Sequence, residues 1–393
     1  MRIGVDIRGL LTGQISGIEQ YTLHILKALL EIDSHNTYVL FYVSYRDMDE
    51  TFRQLVRDYP FLRAGNVEVK TLKWVNFPLL LHALFKPLDW PKADRICGGL
   101  DVMFMPSPRL LPLSVKCAKV TTFHDLVFMI YPQFYTLSSR LWQWQMNYGY
   151  EARTSDAIIA VSDSTKRDLT RLLRTDPSKI NTVHEGVDQS YFNQPSEEVV
   201  ADIKRKFNLP DKFIYYIGSI EPRKNLGLAV RALAKIRGNR SDTIKLVISG
   251  SKNWLSSELY QLVERSGLVD EVIFTGPVDE AEKIALLHLA TIFVFPSVYE
   301  GFGLMVLEAF AAGCPVITSN VSSLPEVAGD AAILINPQNV SELIYQLNRL
   351  LEDDNLRQQL AGRGRERAKG FTWERSARET LRIIEETARK HGG

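Results

Sequence analysis

The sequence predicts an α/β protein built from two doubly wound parallel sheets. Strand-like and helix-like segments alternate almost throughout, the pattern of strands joined by covering helices. A chain of 393 residues exceeds what one hydrophobic core usually organises, so two domains are expected. Glycine-bearing turns close several of the strands, as expected where a strand hands over to a helix.

Short apolar runs mark the strands of the first half: Ile3–Ile7, Tyr38–Val43, Val102–Met105, Val120–Phe123, Ala157–Val161 and Asn181–His184. Helical periodicity separates them over Ile18–Leu30, Leu137–Arg153 and Ser164–Leu173. The second half repeats the pattern. Its strands are Phe213–Ile217, Lys245–Ser249, Glu271–Thr275, Ile292–Phe295 and Val316–Thr318. Its helices fall at Leu226–Arg237, Ser256–Ser266, Glu280–Ala290 and Leu304–Ala312. Polar residues between Asp188 and Glu198 mark the boundary, giving domains 1–193 and 194–373, with a last helix from Glu374 to Lys390.

Composition narrows the function. Apolar content of 45% and charged content of 24% suit a globular protein, and a net charge of +1 supplies no drive toward nucleic acid. The arginine-rich tail is interleaved with glutamates, as a solvated helix face would be. Cys97, Cys117 and Cys314 show no ligand or redox spacing and suit core thiols in a reducing cytoplasm. Met1–Asp6 reads directly as a first strand rather than a leader. The most apolar stretch, Phe77–Phe85, is too short to span a membrane. It suits a core helix, or an acceptor-side or membrane-facing patch.

The segment Thr291–Pro337 carries the most chemical information. A strand stops at Pro296. A turn containing Glu300-Gly301-Phe302-Gly303 follows, then a helix from Leu304 that includes Glu308. Gly313 is placed to end that helix in a left-handed conformation, and Pro315 blocks its restart. Strand, glycine turn and helix together point backbone N–H groups and a positive dipole end at the sheet's carboxyl edge, where phosphate is well received. Carboxylates there could bind sugar hydroxyls.

Two glutamates alone would suit a solvated helix start, but the similarity runs on through Thr318-Ser319, Leu324-Pro325-Glu326-Val327 and Gly329-Asp330-Ala331-Ala332. The whole resembles the Glu-x7-Glu signature of retaining nucleotide-sugar glycosyltransferases, glycosyl transferases group 1 or family four. The resemblance implies the GT-B architecture, two such domains facing across a cleft, with the last helix (374–393) crossing back to the first. It also implies a hexose moved from a nucleotide diphosphate sugar to a glycan or lipid-linked glycan.

Further motifs are read beside that resemblance. Gly218-Ser219-Ile220-Glu221-Pro222-Arg223-Lys224-Asn225 follows a strand, and the adjacent cations are expected to open the next helix. Cations there oppose the helix dipole, a local cost that an anionic ligand would relieve. In the resembled family the residues matching Arg223 and Lys224 bind the donor diphosphate. The residue matching His124, in Phe123-His124-Asp125, lies near the reacting sugar, with Asp125 orienting the ring or capping the following turn. Glu300 is expected on donor-sugar hydroxyls and Glu308 on the ribose. Ser16, Gly17, Gly218, Ser219, Gly276, Val278, Phe302, Gly303 and Leu304 complete the expected donor-binding set. The family usually shows paired glycines where this chain has Ser16-Gly17.

Asp47-Met48-Asp49 matches a metal-binding Asp-x-Asp pattern from a different glycosyltransferase fold. It precedes an amphipathic helix, where aspartate is ordinary capping. No metal or other cofactor is therefore expected, Arg223 and Lys224 supplying the positive charge.

The overall pattern looks most like bacterial mannosyltransferases of surface polysaccharide synthesis. GDP-mannose is therefore the expected donor, ahead of UDP-sugars or other GDP-sugars. The expected place is the cytoplasm, with room for peripheral association at the inner face of the plasma membrane. A nicotinamide-dependent oxidoreductase would share the sheets, but no Gly-x-Gly-x-x-Gly follows the first strand. A catalytically silent glycan- or nucleotide-binding protein of the same fold would have no need of Glu300, Glu308, Arg223 and Lys224 together.

Overall fold

The computed structural model describes residues 1–12, 17–44, 48–73, 89–237, 244–251 and 256–392. Phe77–Phe85, Ser16 and Asp47 lie outside them. Two compact units form, residues 1–185 with 373–393, and residues 186–372.

The first unit holds a seven-stranded sheet in the order β3-β2-β1-β4-β5-β6-β7. Its strands are β1 (Arg2–Asp6), β2 (Thr37–Ser44), β3 (Val67–Lys73), β4 (Val102–Met105), β5 (Ala118–Phe123), β6 (Ala157–Ala160) and β7 (Ile180–Thr182). Every described pairing is parallel. The central strands β4, β5 and β6 are buried along their whole length; β4 and β6 read as unbroken apolar runs, while β5 carries the buried Lys119, paired with Glu151. The edge strand β3, Val-Glu-Val-Lys-Thr-Leu-Lys, is half-buried and was not expected from the sequence. Its alternating charges are tolerated because, among the described residues, only β2 pairs with it.

The last helix, Trp373–Gly392, packs in this first unit against the helix Gly17–Ile32. Trp373 stacks on His24 at 4.9 Å, and Tyr21 meets it edge-on. The segment expected as one helix over Leu137–Arg153 is two, Leu137–Met146 and Tyr148–Thr154. Asn147 breaks it with φ 49°, and its side chain caps Tyr150. Asparagine is among the few residues that accept that conformation readily.

The second unit holds a six-stranded parallel sheet, β10-β9-β8-β11-β12-β13. The strands are β8 (Phe213–Ile217), β9 (Lys245–Ser249), β10 (Val272–Gly276), β11 (Ile292–Phe295), β12 (Val316–Ser319) and β13 (Ile333–Ile335). β13, only three residues long, is too brief to carry a sequence signal. The chain lays β8, β9 and β10 outward in one direction and then returns to place β11 on the other side of β8. The order therefore reverses between β8 and β11. Ligands of open α/β sheets bind beyond strand carboxyl ends at such a reversal.

Two glycines make that edge possible. Gly218 ends β8 with φ 146°, and Gly250 follows β9 with φ 145°. A Cβ on Gly250 would sit 1.9 Å from the Gly218 carbonyl oxygen. Gly250→Ala should therefore destabilise the protein by about 2–5 kcal/mol through strain and overlap. Gly362, inside the helix Asp354–Ala368, meets nothing within 4 Å, so Gly362→Ala should stabilise by about 0.5–1 kcal/mol. Denaturant unfolding of both variants checks this; equal effects would contradict it.

Candidate active site

The two segments that leave the sheet at the reversal are stitched to each other. After β8, residues Pro222–Lys224 form a single 3-10 turn, and Asn225 follows with φ 57°. After β11, the chain runs from Pro296 to Gly303 before the helix Leu304–Ala311. The Val298 N–H donates to the Arg223 carbonyl at 2.9 Å. Asn225 Nδ2 donates to the carbonyls of Pro296 and Pro337 at 3.1 and 2.8 Å.

Charge completes the junction. Arg223 donates to Glu300 Oε2 at 2.9 Å, to the Tyr299 carbonyl at 2.9 Å and to Glu221 Oε1 at 2.7 Å. Lys224 Nζ donates to Glu300 Oε1 at 2.7 Å and lies 5.0 Å over the Phe295 ring. Glu300 is 7% exposed and Lys224 9%. Burial alone would raise the Glu300 carboxyl. Arg223 and Lys224 overcome that and hold it at about 2. Burial is also the largest influence on Lys224 and lowers it, against the opposing pull of Glu300.

This corrects one expectation and adds a constraint on Glu300. The cations do not open a helix, because Asn225 separates them from Leu226–Arg237, and no dipole penalty arises. Nor is Glu300 an open carboxylate, since each oxygen already accepts a charged hydrogen bond. Each oxygen keeps further acceptor capacity.

The turn that carries Glu300 is fixed from behind. Ser322 Oγ accepts from the Glu300 N–H at 2.9 Å, and Ser323 Oγ lies 3.0 Å from the Glu300 carbonyl and 2.6 Å from the Phe302 carbonyl. Phe302 is buried and Leu304 half-buried. Gly303 has φ 116°, and no side chain caps the helix that it begins. The open first turn of that helix and the neighbouring cations suit an anion. Glu308, one turn further, is buried and bound by Lys283 at 3.0 Å.

The other expected donor residues line the same sheet edge. The Gly218 N–H donates to the Ser249 carbonyl, and the Ser219 carbonyl accepts from Tyr216. Gly276 has φ 75° and its carbonyl accepts from Gly250. Val278 is half-buried before the helix Glu280–Leu289, which Asp279 and Glu282 begin with reciprocal caps.

His124 and Gly17 belong to the first unit. Gly17 starts its helix. His124 follows β5, donates from Nε2 to the Pro106 carbonyl at 2.9 Å, and meets Tyr21 edge-on at 4.7 Å. Its Nδ1 lies 3.5 Å from Glu185. Asp125 accepts from the Val127 N–H, so it caps the turn. Asp49 lies in the first turn of the helix Met48–Asp58 and accepts from Tyr42. Among the described residues, no three His, Cys, Asp or Glu gather as a metal site. The described helices include none long and apolar enough to cross a membrane.

Ser322, Ser323 and Lys283 were not singled out from sequence, and Glu221 and Asn225 were read only as members of the Gly218–Asn225 motif, without roles of their own. The partners of Asn225, Ser322, Ser323 and Lys283 at the site stand 21 to 112 positions away, so no local spacing announces them, whereas Glu221 pairs with Arg223 two residues on.

Residues 200–367 match the family model described as glycosyl transferases group 1, and residues 15–191 that of glycosyltransferase family 4. The O-antigen chain mannosyltransferase B of Escherichia coli is 32% identical over 67% of this chain and 68% of its own. The serotype-specific mannosyltransferase WbdA of Escherichia coli is 29% identical over 65% of this chain, but the match spans only 32% of that protein. Among solved structures, HepE of Anabaena, determined with UDP and glucose, superposes with a TM-score of 0.75 at 17% identity, covering 98% of this chain and all of that one. At that identity the likeness shows the fold, GT-B.

Glu300 generates a pH prediction. Its carboxyl is lower in the folded protein than its ordinary 4.5, so its stabilising contribution is full above that value and is lost as pH falls toward about 2. The size is on the order of 3 kcal/mol. Unfolding free energies of wild type and Glu300→Gln, measured through that acid range, should converge. The variant should be the weaker at neutral pH, by about 3–5 kcal/mol, because two buried cations lose their partner. Parallel acid slopes would contradict this account.

Proposed function

The chain belongs to the glycosyl transferases group 1 family and is a glycosyltransferase, and from that premise we propose that it moves mannose from GDP-mannose to a hydroxyl of a glycan or lipid-linked glycan in surface polysaccharide synthesis. The observation that carries this reading is the buried set of Arg223, Lys224 and Glu300 beside the uncapped start of the helix Leu304–Ala311. The mannosyltransferases of Escherichia coli among its relatives support mannose as the sugar.

The diphosphate would lie against Arg223, Lys224 and the N–H groups of the first helical turn. As the bond between the sugar's anomeric carbon and the phosphate oxygen breaks, its electron pair passes to that oxygen. Arg223 offers a planar fork and Lys224 a compact charge to receive it. Glu300 holds the two cations in place and keeps lone pairs for sugar hydroxyls. The acceptor oxygen attacks from the face the leaving group vacates, and its proton passes to a donor phosphate oxygen. The new bond therefore retains the donor's configuration. Glu308 accepts from the ribose, and His124 serves the transfer step.

No metal is needed in this scheme, because the cations supply the positive charge. The test is a transfer assay with GDP-mannose, UDP-glucose and other nucleotide sugars, with and without EDTA. The reading expects GDP-mannose to be consumed fastest, the product to keep the donor's anomeric configuration, and EDTA to change nothing. Preference for a UDP-sugar, inversion, or loss on chelation restored by manganese would each overturn its part.

A further inference from the structure

Glu308 is the second carboxylate of the site, and its surroundings are more elaborate than its proposed role requires. It is 4% exposed on the helix Leu304–Ala311. Lys283, on the helix Glu280–Leu289, donates from Nζ to Glu308 Oε1 at 3.0 Å and to Glu280 Oε2 at 3.1 Å. The same ammonium lies 5.0 Å over the ring of Tyr191, whose hydroxyl donates to Glu280 Oε1. The Tyr191 carbonyl in turn accepts from His288 Nε2 at 3.0 Å. Lys283 is thus held by two carboxylates and an aromatic face. The other oxygen of Glu308, Oε2, is buried and accepts no hydrogen bond from the described residues; the nearby Tyr191 hydroxyl lowers the Glu308 carboxyl but gives its proton to Glu280. A buried carboxylate oxygen without a donor is uncommon and costly, so it points to a donor supplied by a ligand.

We propose that Lys283 is the positioning residue of the nucleotide site: it engages Glu308 Oε1 and so presents Oε2 as an acceptor to the ribose hydroxyls of the donor. This rests on the nucleotide-sugar reading given above.

The charge balance around Glu308 sets the consequence. Facing it are Lys283 and Glu280 from one helix, Tyr191 from the turn Gln189–Phe192 and Tyr215 from β8. Lys283 is the cation that faces Glu308 at contact distance. Burial raises the Glu308 carboxyl above its ordinary value, Lys283 and, less, the Tyr191 hydroxyl pull it down, and Glu280 adds to the rise. A raised carboxyl loses its charge as pH falls through the raised value. Removing Lys283 raises it further, so the acceptor is lost at a higher pH.

The experiment is calorimetric titration of GDP into the full chain from about pH 5.5 to about pH 8. It compares wild type with Lys283→Met, Lys283→Gln, Lys283→Arg and Glu308→Gln. The slope that GDP's own phosphate contributes is common to all. The midpoint of the acid loss in affinity should move up by about one pH unit or more in Lys283→Met and Lys283→Gln, about tenfold weaker binding at the acid end. Lys283→Arg should restore the wild-type midpoint. Glu308→Gln should bind weakly and show only the slope of GDP itself.

A neutral Lys283 variant that folds and keeps the wild-type midpoint overturns the proposal. Should Lys283→Met fail to fold, Lys283→Gln, which keeps a hydrogen-bond donor, decides it. If instead Glu308→Gln binds GDP as the wild type does, the ribose assignment itself falls, which separates the two failures.

Discussion

The second unit is organised around one buried ionic junction, in which Arg223 and Lys224 share the carboxylate of Glu300. The cations follow β8 and the carboxylate follows β11, so the junction ties together the two segments that leave the sheet at the reversal of strand order. Desolvating three charges is costly, and a buried pair rarely repays that cost in stability alone. Here the residual demand is met by the Tyr299 carbonyl, Glu221 and the Phe295 ring. Such an arrangement makes sense where positive charge must stand ready in a fixed geometry before an anion arrives.

The rest of the site follows from that placement. Because Asn225 ties the 3-10 turn to Pro296 and Pro337, and Ser322 and Ser323 fix the Glu300 turn, the cations and the open helix start face the same edge. Glu308 enters one helical turn later, and a second ionic cluster, centred on Lys283, governs it. One sheet edge therefore carries two carboxylates in different electrical settings. Glu300 is held low by two cations, and Glu308 is raised by burial beside Glu280.

Much of the fold was readable from sequence because its strands are buried on both faces. Val102–Met105, Phe213–Ile217, Lys245–Ser249 and Ile292–Phe295 begin and end where the apolar runs do. The misses have physical reasons. β3 alternates charge with apolar residues because it is an edge, β13 is three residues long, and Asn147 breaks a helical pattern that its neighbours favour. At the site, the Glu-x7-Glu spacing marked Glu300 and Glu308, while the strand-ending glycine marked Gly218. The ion pairs across some 77 positions left no local trace. One of the two arguments for an anionic ligand, a dipole conflict at Arg223 and Lys224, does not hold, because Asn225 separates them from the helix. The buried positive charge beside an uncapped helix now supports the ligand on different ground.

The most direct test of the account is to titrate GDP, and guanosine as its phosphate-free counterpart, into wild type, Arg223→Ala and Lys224→Ala, with folding checked in parallel. Each lost charged hydrogen bond should cost about 1.5–3 kcal/mol, a drop of roughly 10- to 100-fold in GDP affinity, with guanosine binding little changed. GDP affinity unchanged in both folded variants would contradict the assignment of this junction to the diphosphate.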